Sequence, residues 1–238
     1  MPRFFIQSPV EDFFEITGED ATHIKKSLRM KCGEKVVLCH EGVDYNCEIV
    51  EFCGDLVRVK LLDFGKCTAE PSVKVTLFQG LPKGDKMDLI VQKAVEVGVC
   101  EVVPVLTSRC VSRPEEKSLQ KKVQRWQKIA REAAKQSGRG CIPKISEAVD
   151  LKNAIKLAKK SEKTVLFYEN GGEKLSEILN RQVDSIAIFV GPEGGFEDSE
   201  VELMESAGAE ICSLGQRILR TETAAIVTVV LALYESER

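Results

Sequence analysis

The sequence has little with which to hold a metal ion. It contains only two histidines, and its nine cysteines include no Cys-x-x-Cys pair. A structural zinc site needs about four cysteine or histidine ligands at close spacing, so we expect no metal. Scattered cysteines of this kind are typical of buried thiols in a reducing compartment.

Long hydrophobic runs are missing as well. No apolar stretch approaches the roughly 20 residues that a membrane-spanning helix needs. The first residues turn polar too soon for a signal peptide, so we expect a cytoplasmic protein. With 43% hydrophobic residues in a chain of 238, one large or two modest domains are expected.

The net charge of −3 hides an uneven distribution along the chain. Residues 1–72 carry a net charge of −4, and residues 146–238 carry −7. Between them, residues 73–145 hold 15 basic and 7 acidic side chains, a net charge of +8. Such a concentration is typical of a face that binds nucleic-acid phosphates, although a solvated helix surface would give the same pattern.

The N-terminal part predicts a small β-rich domain over residues 1–70. Short alternating runs separated by turns predict strands at 3–6, 12–16, 35–39, 45–50 and 56–61. Apolar residues at intervals of three and four predict a helix over 18–30. Several short strands in succession favour a small barrel, and the polar, proline-containing stretch 65–72 is typical of a domain boundary.

From residue 73 onward the pattern changes to strands that alternate with helices. The predicted strands are 73–78, 101–106, 163–168, 185–190 and 210–213. The longer predicted helices are 86–97, 117–136, 148–160 and 224–233, with another starting at residue 198. This alternation predicts an α/β domain with a parallel sheet over residues 73–238.

Two loops in the last fifth of the chain carry most of the functional signal. Residues 191–196 (GPEGGF) and residues 214–224 (LGQRILRTETA) each follow a predicted strand. Loops at the carboxyl ends of parallel strands line the ligand crevice, and glycines let the backbone approach a ligand closely. The first loop is neither a P-loop nor Gly-x-Gly-x-x-Gly. Alone it could be a tight turn, but two such loops favour a binding site.

The two loops resemble the SPOUT class of S-adenosylmethionine-dependent RNA methyltransferases. Within that class they are similar to the bacterial family that methylates N3 of a uridine in small-subunit (16S) ribosomal RNA. The resemblance extends to residues 23–34 and 125–139 and covers nearly the whole chain. It implies a SPOUT domain with a deep trefoil knot, an N-terminal PUA-like RNA-binding β-barrel, and a homodimer with the cofactor at its interface.

The resemblance also implies which residues bind S-adenosylmethionine and RNA. Cofactor binding is expected from Glu169, Gly191, Pro192, Glu193, Gly194, Gly195, Leu214, Gly215, Ile218, Leu219 and Thr223. RNA binding is expected from Arg3, Arg29, Lys83, Arg109, Arg125, Arg131 and Arg139. We interpret Trp126 as a core anchor rather than a base-stacking residue, and His23 as a packed or capping residue.

Arg220 is the residue we expect to act in catalysis. Uracil N3 must lose a proton, and the resulting charge spreads onto two carbonyl oxygens, where a fixed cation would stabilise it. Arg220 lies in the second loop, immediately after the expected cofactor residue Leu219. Glu222 is a candidate proton acceptor, although its place at a helix start, after the predicted N-cap Thr221, equally suits capping.

Two other functions remain open at this point. A SPOUT relative could methylate the ribose 2′-oxygen instead of uridine N3. The chain could also be an RNA-binding protein without catalysis, but two intact loops disfavour that reading.

Overall fold

The computed structural model describes residues 1–111, 113–179 and 182–236. The chain divides into two units, the first comprising Met1–Glu70 and Ala134–Ile142. The second comprises Pro71–Ala133 and Pro143–Arg238. The short segment Ala134–Ile142 therefore belongs to the first unit, although the sequence predicted two continuous ranges.

The first unit is built on a five-stranded sheet. Its strands are β1 (Arg3–Phe5), β2 (Phe13–Ile16), β3 (Lys35–His40), β4 (Val43–Cys53) and β5 (Leu56–Lys66). They run in the order β1-β3-β4-β5-β2, and all neighbours are antiparallel except β1 and β3. Two register shifts between β4 and β5 increase the local twist of this long ladder. The buried core of the unit includes Phe4, Ile24 and Leu38.

The helix of the first unit is shorter and less regular than predicted. Helix α1 (Gly18–Thr22) continues into a π-helical turn at His23–Ser27. Arg29 then adopts φ +51°, the left-handed region. A right-handed helix cannot continue through such a residue, so the predicted end at residue 30 comes too late.

The second unit has a parallel sheet, which confirms the predicted α/β class. Its strands are β6 (Lys74–Gly80), β7 (Glu101–Leu106), β8 (Lys144–Ile145), β9 (Val149–Asp150), β10 (Lys163–Phe167), β11 (Ser185–Val190) and β12 (Glu210–Cys212). The order is β12-β10-β11-β6-β7-β8, with β9 also beside β7, and every ladder is parallel. The two-residue strands β8 and β9 were not predicted.

Helices alternate with these strands along the chain. They are α2 (Lys86–Glu96), α3 (Glu116–Ser137), α4 (Leu151–Ala158), α5 (Leu175–Ile178), α6 (Asp198–Ser206) and α7 (Thr221–Ser236). Ala154 of α4 and Met204 of α6 share one buried cluster with Phe78 and Phe189 of the sheet. Helix α7 packs against α2 and against the central strands β6 and β11. Helix α7 therefore lies over the central strands of the sheet in the second unit.

Trp126 is a core residue of the second unit, as predicted. Only 3% of it is exposed. Its indole Nε1 donates a hydrogen bond of 3.0 Å to Asp88 Oδ1, which fixes α3 against α2. The ring therefore has no free face to offer a base.

The nine cysteines are free thiols. Burial raises the pKa of Cys39 and of Cys212 to about 12, so both thiols are protonated and unreactive at neutral pH. Cys32, Cys53, Cys100 and Cys141 are exposed, so the expectation of buried thiols holds for only part of the set. Across the described residues there is no group of three or more possible metal ligands and no helix long and apolar enough to cross a membrane.

Candidate active site

A cavity of about 360 Å³ opens at the carboxyl ends of β10, β11 and β12. Its walls are the three loops that follow these strands, together with Lys86 of α2 and with Thr221 and Ala224 at the start of α7. The predicted cofactor residues that line it are Glu169, Gly191, Pro192, Glu193, Gly195, Leu214, Gly215, Ile218 and Leu219. Arg220 also lines the cavity, whereas Gly194, Glu222 and Thr223 do not.

The walls combine apolar side chains with a few charged groups. Phe167, Val190 and Leu219 supply apolar surface. The charged lining residues are Lys86, Glu169, Glu193, Arg217 and Arg220. An apolar pocket with a small number of polar groups is typical of small-molecule sites.

The first glycine loop lies directly against Glu169. Gly195 has φ +66°, and a Cβ at this position would lie 2.5 Å from Glu169 Oε1. The Gly195 N–H donates to Pro192 O at 3.0 Å, which closes the turn. A side chain at residue 195 would therefore strain the left-handed backbone and push the Glu169 carboxylate aside, which favours glycine here.

Glu193 is held by α2 and its preceding loop. Its carboxylate accepts 2.7 Å from Lys86 Nζ and 3.2 Å from the Lys83 N–H. Burial raises the pKa of Glu193, but the hydrogen bonds from Lys86 and the backbone outweigh burial, and the pKa lies below its usual value. The charge of Glu193 is thus already matched by Lys86.

Gly194 faces away from the cavity and contacts Arg109. Arg109 Nη1 donates to Gly194 O at 2.9 Å, and Nε donates to Glu197 Oε1 at 2.9 Å. The hydrogen bond that Arg109 donates to the Glu197 carboxylate raises the pKa of Arg109. Arg109 was predicted to contact RNA and Gly194 to contact the cofactor, but here each contacts the other.

The second loop presents cations to the cavity. Arg217 and Arg220 are both exposed, and neither forms a side-chain hydrogen bond or ion pair within the described part of the chain. Arg217 was not predicted, although its place in the same loop as Arg220 was a usable signal. Glu222 is half-buried behind this wall, and its Oε2 has no hydrogen-bond partner among the described residues. Thr223 is exposed.

Thr221 differs from its predicted role as the N-cap of α7. It is the first residue of the helix, and its hydroxyl donates to Gly191 O at 2.6 Å. Gln79, one residue beyond the predicted strand 73–78, lies in β6 and is fully buried beside Thr221. Sequence reasoning missed Gln79, although a polar residue at the carboxyl end of a central strand was a signal.

Two of the predicted RNA contacts form largely buried ion pairs in the first unit. Arg3 donates to both carboxylate oxygens of Asp44, at 2.5 and 2.7 Å. Arg139 donates to both oxygens of Glu70, at 2.9 and 2.8 Å, and its side chain is only 4% exposed. Neither guanidinium is presented to a phosphate, because each is bound by a carboxylate in the fold. The sequence alone does not show these pairings.

The other predicted RNA contacts are distributed differently. Arg29 and Lys83 are exposed, and Arg131 is half-buried. Arg125 is exposed and forms an ion pair with Asp88. Arg29 and Lys83 are therefore the most accessible members of the predicted set.

Comparison with known proteins defines the class. The family model described as an RNA methyltransferase domain matches residues 69–233, and the one described as an RNA methyltransferase PUA domain matches residues 16–61. A parallel-sheet unit with a glycine-walled cavity, joined to a PUA domain, is the architecture of an RNA methyltransferase.

Individual relatives narrow the class. A Bacillus subtilis protein named ribosomal RNA small subunit methyltransferase E is 33% identical over 250 residues, covering 100% of this chain and 98% of the relative. One of that name from Mesomycoplasma hyopneumoniae is 34% identical, covering 95% and 96%. The chain belongs to the ribosomal RNA small subunit methyltransferase E family, as its resemblance indicated.

A solved structure supports the same assignment. The ribosomal RNA small subunit methyltransferase E of Neisseria gonorrhoeae, bound to S-adenosyl methionine, superposes with a TM-score of 0.86. It is 28% identical, and the match covers 97% of this chain and 96% of that one.

Proposed function

We propose that this protein transfers the methyl group of S-adenosylmethionine to N3 of a uridine in 16S ribosomal RNA. The observation that carries the proposal is the cavity formed by the three strand-end loops, nine of whose lining residues were expected to bind this cofactor. The names of the Bacillus and Mesomycoplasma relatives, and the cofactor bound to the Neisseria relative, support it. Its ribosomal RNA substrate would place it in the cytoplasm.

The lining residues fit the cofactor. A volume of about 360 Å³ falls within the range of small-molecule pockets. Phe167, Val190 and Leu219 would contact the adenine, and the backbone of Gly191 and Gly215 can approach it closely. Glu169 would accept hydrogen bonds from the ribose hydroxyls, since Glu193 is already paired with Lys86. When bound, the cofactor supplies an activated methyl group on a sulfonium.

Arg220 would stabilise the anion that forms on the uracil ring. Its guanidinium lines the cavity and has no partner within the described residues, so no ion pair must break before it meets substrate. Arg217, in the same situation, would contact a phosphate of the target nucleotide. Positioning of the reactants can itself supply roughly 7–11 kcal/mol of barrier reduction.

Glu222 and Thr223 lie on the first turn of α7, next to Arg220. Glu222 Oε2 has no hydrogen-bond partner among the described residues, so the carboxylate has a free site for a proton. A side-chain rotation toward the cavity would be required for it to take the N3 proton. Thr223, exposed on the first turn of α7, would orient the substrate.

RNA binding would use exposed cations that have no acidic partner among the described residues. Lys117, Lys121 and Lys128 are exposed on α3, and their spacing of four and seven residues places them on one helix face. Arg29 and Lys83 are exposed as well. Each phosphate contacted releases counterions, so affinity for RNA should fall steeply with salt.

We propose a homodimer that covers part of α7. Val230 is 43% exposed and Tyr234, one turn later, is 61% exposed. Ile218 at the cavity is 87% exposed, which is unfavourable for a large apolar side chain in water. Sedimentation equilibrium should give twice the chain mass, and a monomer at micromolar concentration would contradict this part of the proposal.

We also propose the deep trefoil knot that the resemblance implies. Its support is that the chain after β12 returns to the centre of the sheet, where Thr221 bonds Gly191 and α7 packs on β6 and β11. Single-molecule pulling from the two termini would tighten a knot, so the fully extended chain should be shorter than its contour length. Full extension would show that no knot is present.

The test of the reaction is a labelling experiment. The protein is incubated with methyl-labelled S-adenosylmethionine and small ribosomal subunits that lack 3-methyluridine, and the digested nucleosides are identified. Label in 3-methyluridine is the expected result. Label in a 2′-O-methyl nucleoside would replace N3 by the ribose oxygen, and measurable cofactor binding without any label would contradict the proposed substrate.

A further inference from the structure

Gln79 is a buried polar residue at the carboxyl end of the central strand β6. Its side chain is 0% exposed. The amide Nε2 lies 2.9 Å from Gly80 O, 3.2 Å from Gly191 O and 2.9 Å from Thr221 Oγ1. Its Oε1 is buried and has no hydrogen-bond partner among the described residues. An unpaired buried acceptor is costly, so its retention requires a reason beyond packing.

Gln79 and Thr221 form a directional chain of hydrogen bonds. Gln79 Nε2 donates to Thr221 Oγ1, and the Thr221 hydroxyl donates to Gly191 O at 2.6 Å. Thr221 is only 5% exposed, so water does not compete for these groups. Hydrogen bonds in such a low-dielectric setting are stronger than exposed ones.

The chain joins the two loops that wall the cavity. Gly191 begins the first loop and lines the cavity. Arg220, the residue before Thr221, lines it from the second loop, and its carbonyl accepts the first helical bond of α7 from Ala224 at 2.8 Å. Fixing Thr221 therefore fixes the backbone that carries Arg220.

Gly80 makes the close approach possible. A Cβ at residue 80 would lie 2.4 Å from Pro192 Cδ and 2.9 Å from the Gly191 carbonyl carbon. Real Cβ atoms essentially never come so close. The end of β6 is thus in direct contact with the first loop, which brings the Gln79 amide within reach of Gly191.

We propose that Gln79 and Thr221 are positioning residues for methyl transfer. They hold the Gly191 backbone, which would contact the cofactor, and the Arg220 guanidinium, which would contact the uracil, in one fixed arrangement. This inference rests on the proposed methyl transfer for its effect on rate, but its effect on the loops does not depend on it. Because a misplacement of about 1 Å can cost 10²-fold in rate, loss of either residue should act on turnover.

The test compares variants that change one functional group. Thr221→Val removes the hydroxyl at nearly constant shape, Thr221→Ser keeps it, and Gln79→Met removes the amide. Thr221→Val and Gln79→Met should lower kcat 10- to 100-fold and leave KM for RNA within threefold of wild type. The affinity for S-adenosylmethionine should fall less than kcat does, although Gly191 and Thr221 both line the cavity. Thr221→Ser should restore most of kcat. The double variant should lose no more than the worse single one, because the two residues act as a unit.

Thr228→Val is the matched control. Thr228 is also fully buried in α7, but its hydroxyl donates to Ala225 O of the same helix at 3.0 Å. It should keep wild-type kcat despite a similar loss of a buried hydroxyl. Equal losses in Thr228→Val and Thr221→Val would reduce the effect to general stability and overturn the proposal, as would a wild-type kcat in Thr221→Val.

Hydrogen exchange gives a second readout that needs no turnover. The Gly195 amide donates to Pro192 O, and the Ala224 amide donates to Arg220 O. Both should exchange faster in Thr221→Val and Gln79→Met than in Thr228→Val. If wild type transferred no methyl group, the proposed function would fail, but this exchange pattern would still show that Gln79 and Thr221 hold the two loops. Unchanged exchange at both amides would show that they do not, and would overturn the proposal.

Discussion

Arg139→Met should destabilise the protein rather than merely weaken RNA binding. The guanidinium is 4% exposed and donates to both oxygens of Glu70. Glu70 Oε1 also accepts from the Gly140 and Cys141 amides, at 2.7 and 3.0 Å, whereas Arg139 Nη2 donates to Oε2 at 2.8 Å. Removing Arg139 therefore leaves a largely buried carboxylate with half of its partners gone.

The size of the effect follows from this geometry. Breaking a buried ion pair by removing one partner costs about 3–5 kcal/mol. Glu70 is 21% exposed and keeps two backbone donors, so we expect the lower end, about 3 kcal/mol. At roughly 2–4 °C per kcal/mol for a chain of this size, the midpoint of thermal unfolding should fall by about 6–12 °C.

The stability lost in Arg139→Met should depend on pH in a way that identifies Glu70 as its cause. Burial raises the pKa of Glu70, but the hydrogen bonds from Arg139 and the backbone outweigh burial and hold it below the ordinary value of 4.5. A carboxylate with a depressed pKa contributes stability above its unfolded pKa and loses it as pH falls through the folded value. The gap between wild type and Arg139→Met should thus be constant from pH 6 to 8 and shrink below about pH 4.5.

The assay is thermal unfolding followed by circular dichroism, with Arg29→Met as the matched control. Arg29 is exposed, so the same substitution there should change stability by less than about 0.5 kcal/mol. If Arg139→Met unfolded within 2 °C of wild type while its RNA affinity fell, the guanidinium would be a phosphate contact and the reasoning would be refuted.

Three changes at the cavity have separable outcomes. Gly195→Ala should weaken S-adenosylmethionine binding at least tenfold in calorimetry, because a Cβ would lie 2.5 Å from Glu169 Oε1; unchanged affinity would mean that the loop yields freely. Lys86→Met should raise the pKa of Glu193, because the hydrogen bond from Lys86 then no longer offsets the effect of burial. Carboxyl-carbon NMR measures this pKa, and a value that stays low would show that Lys86 is not the cause. Arg220→Ala should keep cofactor affinity but lower turnover roughly 10²- to 10³-fold, as for loss of one oxyanion-stabilising donor, and normal turnover would show that Arg220 is not catalytic.

The buried strands were the most predictable part of the fold. β7 and β11 have the predicted bounds, because an apolar run buried on both faces is bounded by turn residues at each end. β8 and β9 contain two residues each and exist only through pairing with β7, so no local pattern could reveal them. Helix α7 starts three residues before its predicted apolar run, because Thr221 is bound to Gly191.

The candidate site was predictable as loops but not as contacts. Glycines and strand ends are local features, so the walls formed by residues 191–195 and 214–220 could be anticipated. The partners of Gln79 lie 112 and 142 residues further along the chain. At such sequence separations a local pattern does not predict which polar groups form hydrogen bonds. The hydrogen bonds of Gln79 with Gly191 and Thr221 could therefore be identified only from the fold.

The central positive charge of the sequence illustrates the same limit in electrostatic terms. Much of the net +8 of residues 73–145 is matched by acids from the flanking segments: Lys86 by Glu193, Arg109 by Glu197, and Arg139 by Glu70. The acidic excess of the flanking segments therefore partly neutralises the positive charge of residues 73–145. Net charge counted along the chain thus overstates the surface that is available to bind phosphates. Within the described part of the chain, Lys117, Lys121 and Lys128 of α3 and the two arginines of the second loop form no ion pair, which is why we propose them for contact with RNA. Partner geometry, rather than charge density, therefore shows which cations of this chain are already neutralised within the fold.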